Sequence, residues 1–229
     1  MLKLLAALST CPACGLRSAG PAGICAACLA DLFQAIHEPG LLALGRFEGR
    51  LARAVRALKF SGVTRLAGPL AAELAAQVQR RGWQPSALTS VPLHPSRLLE
   101  RGYNQAALLA QACAAQLGVP WLDLLERRRQ TSQQARLATP ARSANVSAAF
   151  TLSAHAPRVL PLKILIIDDV ITSGATLEAC RQTLLRAGAR QVWAATVAAA
   201  RPRTAVPVPE PEPAVQPAVA TGPVFRGRT

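Results

Sequence analysis

Ile164-Leu165-Ile166-Ile167 is an uninterrupted apolar run that ends on two adjacent acids, Asp168 and Asp169. Four consecutive apolar residues suit a strand covered on both faces, as in the interior of a parallel sheet. Asp168 through Thr176 reads as a loop. Leu177, Cys180 and Leu184 then share one helical face, and Gly188 suits the end of that helix. Gln191–Ala198 reads as the next strand. Such a strand–loop–helix–strand unit commits the chain to an α/β architecture with a mostly parallel sheet. It also puts the loop at the carboxyl end of a strand, where open α/β sheets bind ligands.

The loop has its own chemistry. Only twelve Asp and Glu residues occur in 229, and two of them stand side by side at the end of the most hydrophobic strand. Carboxylates in that position are costly unless cations or hydroxyls satisfy them. Thr172, Ser173, Gly174, Ala175 and Thr176 follow, small and hydroxylated, able to wrap backbone N–H groups around a phosphate at a helix N-terminus. A phosphate beside a polyol, as in ribose 5-phosphate, fits that order: phosphate in the loop, ring hydroxyls on the carboxylates. A Walker loop is excluded, because no Gly-Lys-Ser/Thr follows the strand. The plainer alternative, a surface turn with a helix cap, needs neither acid.

A second constellation lies near the N-terminus. Cys11-Pro-Ala-Cys14 and Cys25-Ala-Ala-Cys28 form two C-x-x-C knuckles separated by ten residues. That spacing suits four thiolates around tetrahedral zinc, with Zn–S distances of about 2.3 Å and no position left open for catalysis. A redox pair or a disulfide framework uses the same residues. The first calls for a strand–helix context that is missing here, and the second for an oxidising compartment. Cys113 and Cys180 fall on apolar helical faces and read as small core residues.

Between the two constellations, Leu29–Ile36 reads as a short helix before a Pro39-Gly40 break. Leu51, Val55 and Leu58 mark a helix ending near Lys59, and a second helix covers about 69–80. Leu88–Leu93 reads as a buried strand, and Ala106–Leu117 as a helix stopped by Gly118. The segment 126–147 carries Arg127, Arg128, Arg129, Arg136 and Arg142 with little apolar pattern and reads as mostly loop. Beyond Arg203 the chain is Pro-, Val-, Ala- and Glu-rich without periodicity, the composition of a disordered tail. The expected organisation is a ribbon over 1–36, an α/β domain over 37–203 and a tail over 204–229.

Charge narrows the partners. The net charge is +14, and with three lysines nearly all of it is arginine. Guanidinium groups match phosphate oxygens in pairs, so a polyanion is indicated, although a GC-rich genome also enriches Arg and Ala. No run is long and apolar enough for a membrane span. The opening residues lack the apolar length and cleavage site of a secretory signal, so a cytoplasmic location is expected.

Residues 164–176 resemble the phosphoribosyl-diphosphate motif of type I phosphoribosyltransferases, with Ser173 where Thr is usual. Val91-Pro92-Leu93-His94, Arg97 and Arg101-Gly102-Tyr103-Asn104-Gln105 resemble a segment of the ComF competence family. Arg129, Thr131, Gln134, Leu137, Arg142, Asn145 and Ala149-Phe150 resemble another. Leu58-Lys59-Phe60 and the four-cysteine ribbon match as well, so that the likeness extends over about 10–200.

The resemblance implies a type I phosphoribosyltransferase-like fold preceded by a small zinc ribbon. Asp168 and Asp169 would hold the ribose hydroxyls of phosphoribosyl diphosphate (PRPP), directly or through Mg²⁺. Thr172, Ser173, Gly174, Ala175 and Thr176 would cradle its 5-phosphate. Leu93, His94, Arg97 and Arg101 would lie near the diphosphate, and the arginine-rich loop would close over the site or receive a nucleic-acid backbone. The function implied is natural transformation, with handling of incoming single-stranded DNA alongside uptake helicase or pore proteins. Aromatic residues make up only 4%, which favours phosphate contacts over a platform of stacked bases. The alternative is an active phosphoribosyltransferase of nucleobase salvage, for which no base-recognition segment is evident.

Overall fold

The structure, a computed structural model, describes residues 9–18, 24–128 and 149–200. Its central sheet has the order β3-β4-β9-β8-β5, made by β3 (Ile36–Glu38), β4 (Leu41–Ala43), β5 (Ala87–Ser90), β8 (Lys163–Ile171) and β9 (Gln191–Ala199). All pairings are parallel except the β3–β4 hairpin at one edge. Two small antiparallel pairs stand apart: β1 (Ser9–Thr10) with β2 (Arg17–Ser18), and β6 (Leu125–Arg127) with β7 (Phe150–Leu152).

Helices cover both faces, which is why the inner strands are apolar on both sides. One face carries α2 (Gly49–Phe60), α3 (Ala67–Arg80) and α5 (Gln105–Leu117), packed on Leu165, Ile167, Ala195 and Val197. The other carries α6 (Ala175–Arg186) and the β6–β7 pair, packed on Ile164, Ile166, Val192 and Ala194. Residues of β8 thus alternate between two cores.

The cysteine segment belongs to the first core. Cys11, Ala13, Ile24, Cys28 and Leu32 share one apolar cluster with Leu51, Val55 and Leu58 of α2 and with the sheet. Arg53 of α2 donates from Nε to the Ala13 carbonyl at 2.7 Å, between the first two cysteines.

Several local expectations are corrected. The helix begins inside the second knuckle as α1 (Ala26–Asp31), capped by Cys25, and the residues expected to prolong it instead turn into β3, the hairpin with β4 spanning the Pro39-Gly40 break. Strand β5 stops at Ser90, before Pro92 would remove a ladder donor. A further helix, α4 (Pro95–Arg101), has no buried residue and therefore left no apolar period to read; His94 caps its start and Gly102, at φ 79°, ends it. Part of the arginine-rich loop is strand: Arg127 lies in β6, while Arg129, Arg136 and Arg142 fall outside the described residues, as does the 204–229 tail. Strand β8 does not stop at Ile167 but runs through both acids to Ile171, still paired with β9.

Asn104 joins two of these pieces. Its Oδ1 accepts from the Ala106 and Ala107 N–H groups at the start of α5, and its Nδ2 donates to the Val91 carbonyl at 3.0 Å. Asn104→Ala removes a helix cap and a tertiary bond together and is expected to cost about 1–2 kcal/mol, read as a lower urea midpoint at unchanged slope.

Candidate functional site

The candidate site stands where β5 ends and β8 continues. Val91 donates its N–H to the Ile167 carbonyl at 3.0 Å, the last bond before the chain turns away through Pro92 to His94. Beyond that point β8 keeps β9 on one side, while its pairing with β5 has ended at Ser90 and Ile167. The two acids therefore stand just past the last β5–β8 pair, at the carboxyl end of the sheet where open α/β sheets bind ligands.

Those two acids face opposite layers. Asp169 points to the α2 side, where its buried Oδ2 lies 2.9 Å from the Lys59 ammonium. Asp168 faces the α6 side, within electrostatic reach of Arg127 and of the buried Cys180 thiol. Each carboxylate also has one oxygen held by the following backbone: Asp168 accepts from the Asp169 N–H at 2.8 Å, and Asp169 from the Val170 N–H at 2.9 Å. Asp168 keeps a narrow opening to solvent but is enclosed by protein. Burial, then the charge of Asp169, raises its pKa well above the ordinary carboxylate value. Burial likewise raises the Cys180 thiol and lowers the Arg127 guanidinium.

Past Ile171 the chain makes a short exposed turn. Thr172 and Ser173 are exposed, and Gly174 is buried at φ 78°, a left-handed conformation that a side chain would strain. Gly174 opens α6, and Ser173 Oγ accepts from the Ala175 N–H at 3.4 Å. Hydroxyls and the N-terminal N–H groups of a twelve-residue helix thus share one concave turn, suited to an anion.

The other expected residues divide. His94 accepts from the Ser96 N–H through Nδ1, so that nitrogen acts as a helix cap. Arg97 pairs with Glu100 at 3.2 Å on the exposed face of α4. Arg101 donates to Gln105 and lies 5.2 Å over the Phe60 ring, and no contact joins it to the acids among the described bonds. Arg128 pairs with Glu126 at 3.9 Å. Tyr103 is occupied, its hydroxyl donating to the Leu58 carbonyl and fastening α2 to the α4–α5 turn. Sequence reasoning missed Lys59 as a site residue. Its signal was its rarity, one lysine of three, inside a quoted motif; the acid it neutralises lies far along the chain.

The four knuckle cysteines converge. Their sulfur atoms all lie within 4.8 Å of one another, and Cys14 and Cys25 are 3.8 Å apart. A tetrahedron with about 2.3 Å Zn–S bonds has an edge of about 3.8 Å, so the cage fits a tetrahedral ion of zinc's size. Backbone N–H groups of Cys25, Cys14 and Ala13 outweigh burial at Cys11 and bring its thiol down to about 6. Burial and the neighbouring cysteines push Cys28 up to about 12. A cation at the centre of this cage would hold all four sulfurs as thiolates.

A strand–turn–helix carrying two acids and a small hydroxylated loop defines a phosphoribosyltransferase-type domain, and residues 104–212 match the phosphoribosyl transferase domain family. The DNA utilization protein YhgH of Salmonella typhimurium is 36% identical over 198 residues, covering 81% of this chain and 83% of that protein. Competence protein F of Haemophilus influenzae is 36% identical over 112 residues, covering 48% of this chain and 49% of that one. Among solved structures, adenine phosphoribosyltransferase from Leishmania tarentolae is similar at 12% identity and a TM-score of 0.43, covering 72% of this chain and 94% of that one. The chain belongs to the family of the DNA utilization protein YhgH, which the competence protein F also resembles, and in this chain a four-cysteine segment precedes a type I phosphoribosyltransferase fold.

Two outcomes are expected. A carboxyl whose pKa is raised by folding opposes folding wherever the unfolded chain would ionise it; that penalty grows as pH rises from the unfolded-state value towards the folded-state one and vanishes below the unfolded-state value. Asp168→Asn should therefore raise stability at neutral pH, on the order of 1 kcal/mol by urea titration, with the gain fading as pH falls through the carboxylate range. Metal analysis should find one zinc per chain, and its chelation should open residues 11–28 to limited proteolysis.

Proposed function

We propose that this protein handles single-stranded DNA during natural transformation, in the cytoplasm, and uses the site at the end of β8 to bind a phosphoribosyl diphosphate. The observation that carries the reading is the division of labour around β8: Asp169 neutralised by Lys59, Asp168 facing Arg127, and a hydroxyl-bearing turn at a helix N-terminus shortly past the strand's carboxyl pair. A ribose lying over the end of β8 presents hydroxyls to the carboxylates while its 5-phosphate enters the Thr172–Thr176 turn. The family names of the relatives, DNA utilization and competence, support the DNA half of the reading. So does the net charge of +14.

Asp168 suits Mg²⁺ as well: its carboxylate is half-buried and a hard oxygen donor, whereas Asp169 is engaged by Lys59 and the Val170 N–H, and Mg²⁺ typically binds through one or two carboxylates plus substrate phosphates. When bound it would neutralise the diphosphate. Lys59 and Arg127 balance the carboxylates. In the cysteine cage, zinc would be held by Cys11, Cys14, Cys25 and Cys28 with no open position, a structural role.

Calorimetric titration of PRPP with Mg²⁺ tests the pocket. Wild type is expected to bind and Asp169→Asn to lose binding at least tenfold while keeping its far-ultraviolet spectrum. Equal affinity of the two proteins would remove the ribose-phosphate assignment.

A further inference from the structure

Phe60 closes α2 with its ring turned to solvent. It is 70% exposed, the one aromatic among the large apolar side chains found exposed in the described residues. An isolated exposed apolar residue needs no explanation, but this one is bracketed. The Arg101 guanidinium lies 5.2 Å from the ring centroid and the Lys59 ammonium 5.9 Å. Neither cation is adventitious in its position. Arg101 is held by its bond to Gln105, and Lys59 by its ion pair with Asp169. The backbone beneath is fixed too, because the Tyr103 hydroxyl donates to the Leu58 carbonyl.

We infer that Phe60 is a stacking site for a nucleobase, with Arg101 beside it to receive an adjoining phosphate. The inference rests on the DNA-handling reading and adds the base contact that the low aromatic content argued against. A ring 70% exposed, with cations over part of it, suits a single strand: every base has a π-face to lay on the exposed part of the ring, and every nucleotide brings a phosphate. A base stacked here would stand next to the ribose-phosphate site, since the same ammonium that borders the ring lies 2.9 Å from the Asp169 carboxylate. The chemistry recognised is a flat base with an attached phosphate, which a DNA strand or a free mononucleotide can supply.

The experiment compares wild type with Phe60→Ala, Phe60→Trp and, as an exposed apolar control at the amino end of β8, Leu162→Ala, which is expected to match wild type. Binding of a fluorescein-labelled oligothymidylate is read by anisotropy at fixed low salt, beside the same strand built from abasic units. Phe60→Ala is expected to weaken the base-containing strand about five- to tenfold, the lower range for loss of one stacked base. Phe60→Trp should retain wild-type binding, and all four proteins should bind the abasic strand alike. Undiminished oligothymidylate binding by Phe60→Ala would overturn the stacking site, and so would an equal loss on the abasic strand. Competition by thymidine monophosphate against a labelled nucleotide separates the sources. Phe60-dependent binding of the mononucleotide without any binding of the strand would keep the stacking site and remove the DNA reading. Binding of neither would overturn the stacking site, while the PRPP titration judges the ribose-phosphate site independently.

Discussion

A carboxylate buried at the end of an apolar strand is tolerable only if a positive charge comes to it, and in this protein that charge is Lys59. The desolvation of Asp169 would otherwise oppose the extension of β8 past Ile167, because a buried charge without a partner is among the largest penalties a fold can carry. Much of the surrounding architecture follows from bringing that ammonium into place. Lys59 stands on the last turn of α2, α2 is packed on the sheet through Leu51, Val55 and Leu58, and its end is fastened by Tyr103. Arg127 serves the other carboxylate from the opposite face. Two neighbouring acids coexist because the pleat sends them to different layers, with Lys59 against Asp169 and Arg127 within reach of Asp168.

The same logic explains why so much of the chain serves one small site. The cysteine segment is bound into the core beneath α2 and bonded to it through Arg53. Asn104 ties the Val91 carbonyl to the start of α5, so the segment leaving β5 is held in place. Gly174 supplies the left-handed turn that lets α6 begin within a few residues of the acids. Rigid parts thus surround a site whose own residues, Thr172 and Ser173, remain open to solvent.

The strongest elements of this arrangement were legible in the sequence, and for identifiable reasons. Ile164–Ile167 could be read because burial on both faces leaves no polar residue in the run, and α3 and α5 because their apolar residues recur at helical spacing. The knuckle cysteines could be read because their spacing reflects a local geometry. What escaped was structure defined by distant partners or by none. Strand β3 is three residues long and is specified by its pairing with β4. Helix α4 buries nothing, so its sequence carries no period. The acids looked like the start of a loop because polarity normally ends a buried strand, and only the cations supplied from α2 and β6 allow β8 to continue. Lys59 and Phe60 were visible as letters in a motif, but their roles depend on Asp169 and Arg101, which the fold alone brings to them.

The order of strands in the sheet carries a consequence for synthesis. Strand β4, among the first of the sheet to leave the ribosome, has β9 as its parallel neighbour, and β9 is the last described strand. The apolar edge of the β3–β4 hairpin must therefore wait, unpaired, through the making of nearly all the intervening chain. A topology closed by its final strand folds slowly and leaves strand edges open to wrong partners in the meantime. Newly made chains accordingly carry an unpaired β4 edge until Ala199 has emerged.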